Sequence, residues 1–208
     1  MTDLEIIGLP QSNFVWATRI AIAEKGVAHS FVAADPHSPE VSAISPFGKV
    51  PVMRHGDFRL AESRAICTYV DRAFEGPSLV PREPREAALA EQWTSLVVST
   101  IEPVLIRQYL FAYLFPKTAT GQPDASRIAA ALPTVHRHLD VLDGAVQSGE
   151  IGHRFTLADA YLAPILFYLK DLPESGEALA SRPALRDYAA RQSERPSVRA
   201  TAPARPGL

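Results

Sequence analysis

Residues 3–33, DLEIIGLPQSNFVWATRIAIAEKGVAHSFVA, decide the fold of the first part of the chain. The apolar run at 3–8 predicts a short buried strand, and apolar side chains that recur on one face predict a helix over 14–25. Gly26 stands where a glycine commonly ends a helix, and 27–33 predict a second strand. The stretch therefore predicts a βαβ unit.

The residues that follow extend this unit. Residues 35–45 are polar and predict a loop with room for one helical turn, whereas 48–55 and 58–60 predict two strands joined tightly at Gly56-Asp57. An apolar stripe over 62–74 predicts a helix. The order βαβ–ββα then ends where a linker begins.

A linker is predicted by EGPSLVPREP at 75–84, which holds three Pro and one Gly in ten residues. We therefore divide the chain into an α/β domain at 1–76, a linker at 77–84 and an all-helical domain at 85–208. The pattern after the linker is helical throughout, and it includes a Thr-x-x-Asp capping box at 156–159.

The prolines of the second half predict irregularities in these helices. Pro103 and Pro133 fall inside apolar helical patterns, and an interior proline removes a hydrogen bond and bends a helix. The tail after Glu194 contains Pro196, Pro203 and Pro206, and it predicts little regular structure.

Composition excludes several classes of protein. The 208 residues carry a formal charge of −2 and no basic run, which argues against nucleic-acid binding. No apolar stretch reaches membrane-spanning length and no secretory signal is visible, and the single Cys suits a reducing compartment, so a cytoplasmic protein without membrane contact is expected. One Cys excludes an internal disulfide. His136, His138 and Asp140 do not predict a metal site, because positions two apart face different directions on a helix.

Four segments carry a resemblance to a known family. They are Ser12 with WATRIAIAEKG at 16–26, SPFGKVP at 45–51, ESRAI at 62–66 and TLADAYLAP at 156–164. In this order, and on either side of the linker, they resemble the cytosolic glutathione S-transferases. The resemblance implies a thioredoxin-like N-terminal domain, a C-terminal helical-bundle domain and a homodimer. It also implies glutathione as co-substrate, with no metal and no other cofactor.

Ser12, at the turn between the first strand and helix, is the first candidate for catalysis, because the resemblance implies that it takes the position of the serine that stabilises the thiolate in serine-type members. A hydroxyl near the positive end of a helix can donate to an anion. Glutathione's thiol must ionise to react, and lowering its pKa by two units requires about 2.7 kcal/mol. Alternatively, Ser12 is a plain helix cap, and Asn13 is the second candidate for the same bond. Many relatives carry Pro where this chain has Asn13.

The cysteine that some related proteins use for catalysis is not present at position 12. Relatives with Cys at the position of Ser12 perform disulfide exchange, but the one Cys of this chain, Cys67, lies within an amphipathic helix pattern. A small core residue is the better interpretation of Cys67, so disulfide reduction by a protein thiol is not expected.

The resemblance assigns the central part of the glutathione site to Val50-Pro51. It implies a cis bond there, with the backbone of Val50 pairing with the cysteinyl part of glutathione. Lys49 and His37 are candidates for the glycyl carboxylate. Without the resemblance, both would be ordinary exposed loop residues.

The resemblance assigns the opposite end of glutathione to Glu62 and Ser63, at the start of a helix. Ser63 can offer its hydroxyl and N–H to the γ-glutamyl carboxylate, and Glu62 can accept from the ammonium group. The alternative is that both residues only cap the helix.

An apolar acceptor pocket is expected between the domains. Arg107 and Tyr113 could stabilise negative charge that develops on an electrophile, and core packing is the alternative for most candidates. The candidates are Phe14, Ile106, Arg107, Leu110, Tyr113 and Phe115. Thr156 and Asp159 are expected to be structural, with a cost of about 1 kcal/mol when either is replaced.

The leading hypothesis is a glutathione transferase that acts on electrophilic, largely apolar acceptors. One alternative is a glutathione-dependent isomerase or dehalogenase of the same fold; the isomerases carry Ser-Ser-Cys-Ser where 11–14 read Gln-Ser-Asn-Phe. Another is a non-catalytic interaction module, which the intact candidate residues argue against.

Overall fold

The computed structural model describes residues 3–119 and 121–204, so Pro206 of the tail lies outside the described residues. Four strands form one sheet in the order β2-β1-β3-β4. Strands β1 and β2 are parallel, and β3 is antiparallel to both of its neighbours. The strands are β1 (Leu4–Gly8), β2 (Ser30–Ala33), β3 (Val52–His55) and β4 (Phe58–Ala61).

Helices complete the α/β part of the chain, called the first unit below, as the sequence predicts. The helix α1 connects the parallel strands β1 and β2, α2 is the single turn in the polar loop, and α3 follows β4. The βαβ–ββα order and the helical second part are therefore confirmed. The helices are α1 (Asn13–Glu24), α2 (Pro39–Ser42) and α3 (Ser63–Ala73).

The core of the first unit follows the alternation of the strands. Leu4 and Ile6 of β1 pack with Ile22 of α1 on one face of the sheet. Ile7 points to the opposite face and packs with Val41 of α2. Successive side chains of a strand face opposite sides, so the run LEIIG serves both cores.

The second unit is helical, and α7 is its most buried helix. The helix α8 was not predicted, because eight residues with Pro173 and Gly176 carry little periodic signal. The helices are α4 (Pro84–Leu96), α5 (Phe111–Leu114), α6 (Ala125–Gln147), α7 (Leu157–Leu169), α8 (Pro173–Ala180) and α9 (Pro183–Glu194). In the described part of the chain, no helix is both long and apolar enough to cross a membrane.

Proline acts differently at Pro103 and at Pro133. Pro103 begins a π-helical stretch, Pro103–Leu110, which follows a first one at Val97–Ile101. Proline has no N–H for the α-helical ladder, and the chain takes wider turns there. Pro133 instead lies within α6, which continues on both sides of it.

The prediction for the C-terminal tail was wrong. Residues Pro196–Thr201 form a helix, α10, with proline in its first turn, where a missing N–H costs nothing. The contacts of the chain place the segment that begins at Arg195 in the first unit, whereas Pro84–Glu194 forms the second. Residues 195–204, which the prediction placed in the helical domain at 85–208, therefore belong to the first unit, because contacts such as the one between Thr201 and Trp16 join them to it.

Candidate functional site

The register of the strands brings three candidate segments of the first unit to one edge of the sheet. These segments contain Ser12, Val50-Pro51 and Glu62-Ser63. Ile7 of β1 pairs with Val52 of β3, and Val52 pairs with Ala61 of β4. At this edge of the sheet β1 and β4 end and β3 begins. The residues next to the row are Gly8, Pro51 and Glu62.

Gly8 allows these segments to pack directly against one another. A Cβ atom at Gly8 would lie 2.7 Å from Cγ2 of Val15 and 3.1 Å from Cβ of Val50. Both distances are shorter than a normal carbon contact. The end of β1, the first turn of α1 and the residue before Pro51 therefore meet here. No role of Gly8 is predicted from the sequence, in which its place at the end of a strand is the available signal.

Ser12 caps α1 and is half-buried. Its Oγ accepts a hydrogen bond from the N–H of Val15 at 3.4 Å, and its carbonyl accepts from the N–H of Trp16 at 2.9 Å. A hydroxyl that accepts one bond still carries a proton to donate. Asn13, the alternative, is 8% exposed. The geometry therefore combines capping with a hydroxyl at the positive end of a helix.

The bond between Val50 and Pro51 is cis, as the resemblance led us to expect. Pro51 is buried and Val50 is half-buried. Val50 lies two residues before the start of β3, and its side chain lies beside Gly8 at the end of β1.

Glu62 has an unusual backbone. It lies between β4 and α3 with φ 73° and ψ 116°, and its side chain makes no capping hydrogen bond. Positive φ costs a residue other than glycine about 1–3 kcal/mol, and such strain concentrates at functional sites. Ser63, 7% exposed, is the first residue of α3. Simple capping therefore does not account for Glu62.

The loop around α2 brings His37 to Gly48. The N–H of His37 donates to the carbonyl of Gly48 at 2.8 Å, and a Cβ atom at Gly48 would lie 2.1 Å from Nδ1 of His37. Lys49 follows, with its N–H bonded to Oγ of the buried Ser45 at 3.0 Å. Both His37 and Lys49 are exposed. The fold thus collects two basic side chains that are twelve residues apart in sequence.

The acceptor candidates lie in different environments. Phe14 lies on α1 in the first unit, and the others belong to the second unit. Ile106 and Leu110 are each 2% exposed, so they pack in a core, whereas Phe115 is 62% exposed. Arg107 is exposed, and its Nε lies 3.2 Å from Oε1 of Glu102.

Tyr113 is held by a carboxylate of its own unit. Its hydroxyl donates to Glu174, to which Tyr109 also donates at 2.9 Å. Burial and the bond to Glu174 raise the pKa of Tyr113 well above its usual value. The hydroxyl of Tyr113 is therefore engaged, which leaves Arg107 as the exposed polar candidate of the pair.

Asp159 is a fully buried carboxylate at the start of α7. It accepts from the N–H of Thr156 at 2.8 Å, from the hydroxyl of Thr156 at 3.1 Å and from the hydroxyl of Tyr188 at 2.8 Å. Burial raises its pKa, although these hydrogen bonds act in the opposite direction. The capping box is confirmed, and the bond to Tyr188 adds a tie between α7 and α9.

Models of two known protein domains match the chain. The model of the glutathione S-transferase N-terminal domain matches residues 6–78, and that of the C-terminal domain matches residues 125–191. The chain is similar to glutathione S-transferase F10 of Arabidopsis thaliana, with 31% identity over 160 residues, 72% of this chain and 74% of the relative.

Two solved structures are similar over nearly the whole chain. Glutathione transferase F7 from Populus trichocarpa is 25% identical with a TM-score of 0.86, over 96% of this chain and 97% of that one. The theta class glutathione S-transferase from Xanthomonas axonopodis pv. citri, with glutathione bound, is 28% identical with a TM-score of 0.81, over 97% and 98%. With both domain models matched in order, the chain belongs to the glutathione S-transferase family.

Proposed function

We propose that this protein is a glutathione transferase in which Ser12 stabilises the glutathione thiolate. The hydroxyl of Ser12 donates to the sulfur, and the thiolate attacks an electrophilic carbon of a largely apolar acceptor. A carbon–sulfur bond forms while the bond between that carbon and the leaving group breaks, and the leaving group departs with the electron pair of the broken bond. The observation that carries this proposal is the half-buried Ser12 hydroxyl at the N-terminus of α1, at the sheet edge shared with Val50-Pro51 and Glu62-Ser63.

Each part of glutathione has a matching group along this edge. The backbone of Val50 pairs with the cysteinyl unit, as an added strand would. Ser63 at the start of α3 receives the γ-glutamyl carboxylate, and Glu62 accepts from its ammonium. Lys49 and His37 pair with the glycyl carboxylate.

We assign the binding of the acceptor substrate to side chains of the second unit and to Phe14. Arg107 is the candidate for stabilising charge on the electrophile. No cofactor or metal takes part in the proposed reaction, because glutathione itself supplies the nucleophile. We assign the protein to the cytoplasm, where glutathione keeps thiols such as that of Cys67 reduced.

Two measurements test the proposal. Isothermal titration is expected to show glutathione binding at or below millimolar concentration, and mixing the complex with an activated aryl halide is expected to release halide with one conjugate per glutathione consumed. Failure to bind glutathione at millimolar concentration would instead favour a non-catalytic interaction module.

Two substitutions of Glu62 separate binding from backbone strain. Glu62→Gln keeps the shape and removes the charge, so glutathione affinity should fall about tenfold. Glu62→Gly accepts the positive φ without strain, so it should weaken binding at least as much while the free energy of unfolding changes by no more than about 1 kcal/mol. Titration and urea unfolding measure the two effects. Wild-type affinity in both variants would mean that Glu62 does not bind glutathione and that its positive φ serves only the turn between β4 and α3.

We also propose that the protein forms a homodimer through the outer face of α3. Leu60, Ala65 and Tyr69 give a groove there a mostly apolar surface, although Arg64 and Arg72 also line it, and Phe58 beside Tyr69 is 43% exposed. An exposed apolar surface of this kind favours self-association. Sedimentation is expected to give twice the chain mass of 22.7 kDa. Ala65→Arg, which adds charge beside Arg64, should give the monomer, and a monomeric wild type would exclude this interface.

A further inference from the structure

The C-terminal helix α10 is attached to α1 at two places. Near the end of α1, Nε and Nη2 of Arg195 lie 2.6 and 2.7 Å from the carboxylate oxygens of Glu24, to which Ser197 also donates. Nearer its start, the indole N–H of Trp16 donates to Oγ1 of Thr201 at 3.0 Å. The segment that follows the entire second unit therefore holds the helix that carries Ser12.

The hydrogen bond between Trp16 and Thr201 is buried, and both the hydroxyl and the carbonyl of Thr201 have partners. Trp16 is fully buried and Thr201 is 4% exposed. The hydroxyl of Thr201 accepts from Trp16 and donates to the carbonyl of Ser197 at 2.7 Å, and the carbonyl of Thr201 accepts from Nη1 of Arg19 at 3.2 Å. Water cannot readily replace an acceptor in such a place, so the buried indole N–H of Trp16 relies on this hydroxyl as its acceptor.

Trp16 lies one helical turn after Ser12, and a backbone hydrogen bond joins the two residues. The backbone N–H of Trp16 donates to the carbonyl of Ser12 at 2.9 Å, while the N–H of Val15 donates to Oγ of Ser12. Any shift of Trp16 therefore moves the turn that sets the direction of the Ser12 hydroxyl.

We propose that Thr201 is a positioning residue for Ser12, because it holds the Trp16 indole and thereby fixes the first turn of α1. This inference rests on the proposed function for its catalytic consequence, but the positioning itself is a property of the protein without glutathione. The Glu24–Arg195 pair provides a matched control, since it holds the same helix three turns away from Ser12.

The first experiment uses the protein without ligand. Thr201→Val removes the hydroxyl with little change of shape, and Thr201→Ser keeps it. Amide hydrogen exchange at Val15 and Trp16 is expected to be about tenfold faster in Thr201→Val and close to wild type in Thr201→Ser. Glu24→Gln should instead speed exchange near the end of α1 and leave Val15 unchanged. Unchanged exchange at Val15 in Thr201→Val would overturn the proposal.

The second experiment adds glutathione and measures thiolate absorbance against pH. The pKa of the bound thiol is expected to rise by about one unit in Thr201→Val, which is a tenfold loss of thiolate at a pH below the wild-type pKa. The Michaelis constant for glutathione should stay within about twofold, and Thr201→Ser should restore the wild-type pH profile. A Thr201→Val protein that melts earlier but keeps the wild-type thiol pKa would reduce Thr201 to a stability role and overturn the proposal. If the wild type binds no glutathione, the proposed function fails, and the exchange experiment alone decides whether Thr201 positions Ser12.

Discussion

Ser12→Ala is expected to bind glutathione and to lose most of its thiolate near neutral pH. The Oγ of Ser12 lies at the N-terminus of α1, where its proton can be donated to the sulfur. Loss of that bond should raise the pKa of the bound thiol by about two units, or about 2.7 kcal/mol. Activity should then fall about 100-fold at a pH below the wild-type pKa, and the rise of activity with pH should move upward by the same two units. Absorbance of the thiolate and the turnover rate across pH measure both.

Two controls separate this effect from the loss of a helix cap. The N–H of Val15 loses its acceptor in Ser12→Ala, which costs about 1 kcal/mol of stability. Ser12→Thr keeps a hydroxyl at the cap and should retain most of the thiolate. Asn13→Ala, at the buried neighbour, should leave the thiol pKa unchanged. If Ser12→Ala forms as much thiolate as wild type and Asn13→Ala does not, the role passes to Asn13.

Asp159→Ala is expected to lower the free energy of unfolding by about 3 kcal/mol or more. The carboxylate is fully buried, and its removal leaves the N–H and hydroxyl of Thr156 and the hydroxyl of Tyr188 without their acceptor. This loss exceeds the cost of about 1 kcal/mol expected for a capping residue from sequence, because Tyr188 is a long-range partner. Urea unfolding measures the change.

Single-partner variants divide this loss. Thr156→Ala and Tyr188→Phe each remove one group that donates to Asp159, and each should cost about 1 kcal/mol. Turnover per folded molecule should match wild type in all three variants. A drop in turnover without a change in stability would instead place Asp159 in the reaction.

Local patterns were sufficient for much of this protein. The run LEIIG, the glycine after α1 and the apolar stripe of α3 predicted the βαβ–ββα order with element ends displaced by a few residues. The candidates Ser12, Val50-Pro51 and Glu62-Ser63 also followed from sequence, since each belongs to a short motif. These signals are local: period, capping and turn residues all act within a few positions.

Other features depend on groups far apart in the chain. The strained φ of Glu62, the contact of His37 with Gly48 and the engagement of Tyr113 by Glu174 have no local signature. The tail is the clearest case, since its prolines resemble a disordered segment until Pro196 is seen to begin a helix.

The sequence by itself determined the order of strands and helices, because side-chain periodicity and capping are properties of neighbouring residues, and its four short motifs carried the resemblance to the family. Tertiary structure alone decided that Ser12, Val50 and Glu62 share one edge and that Thr201 reaches Trp16, 185 residues away. The physical reason is that such contacts form when strand register and core burial bring distant segments together, and no local pattern encodes which buried donor meets which acceptor.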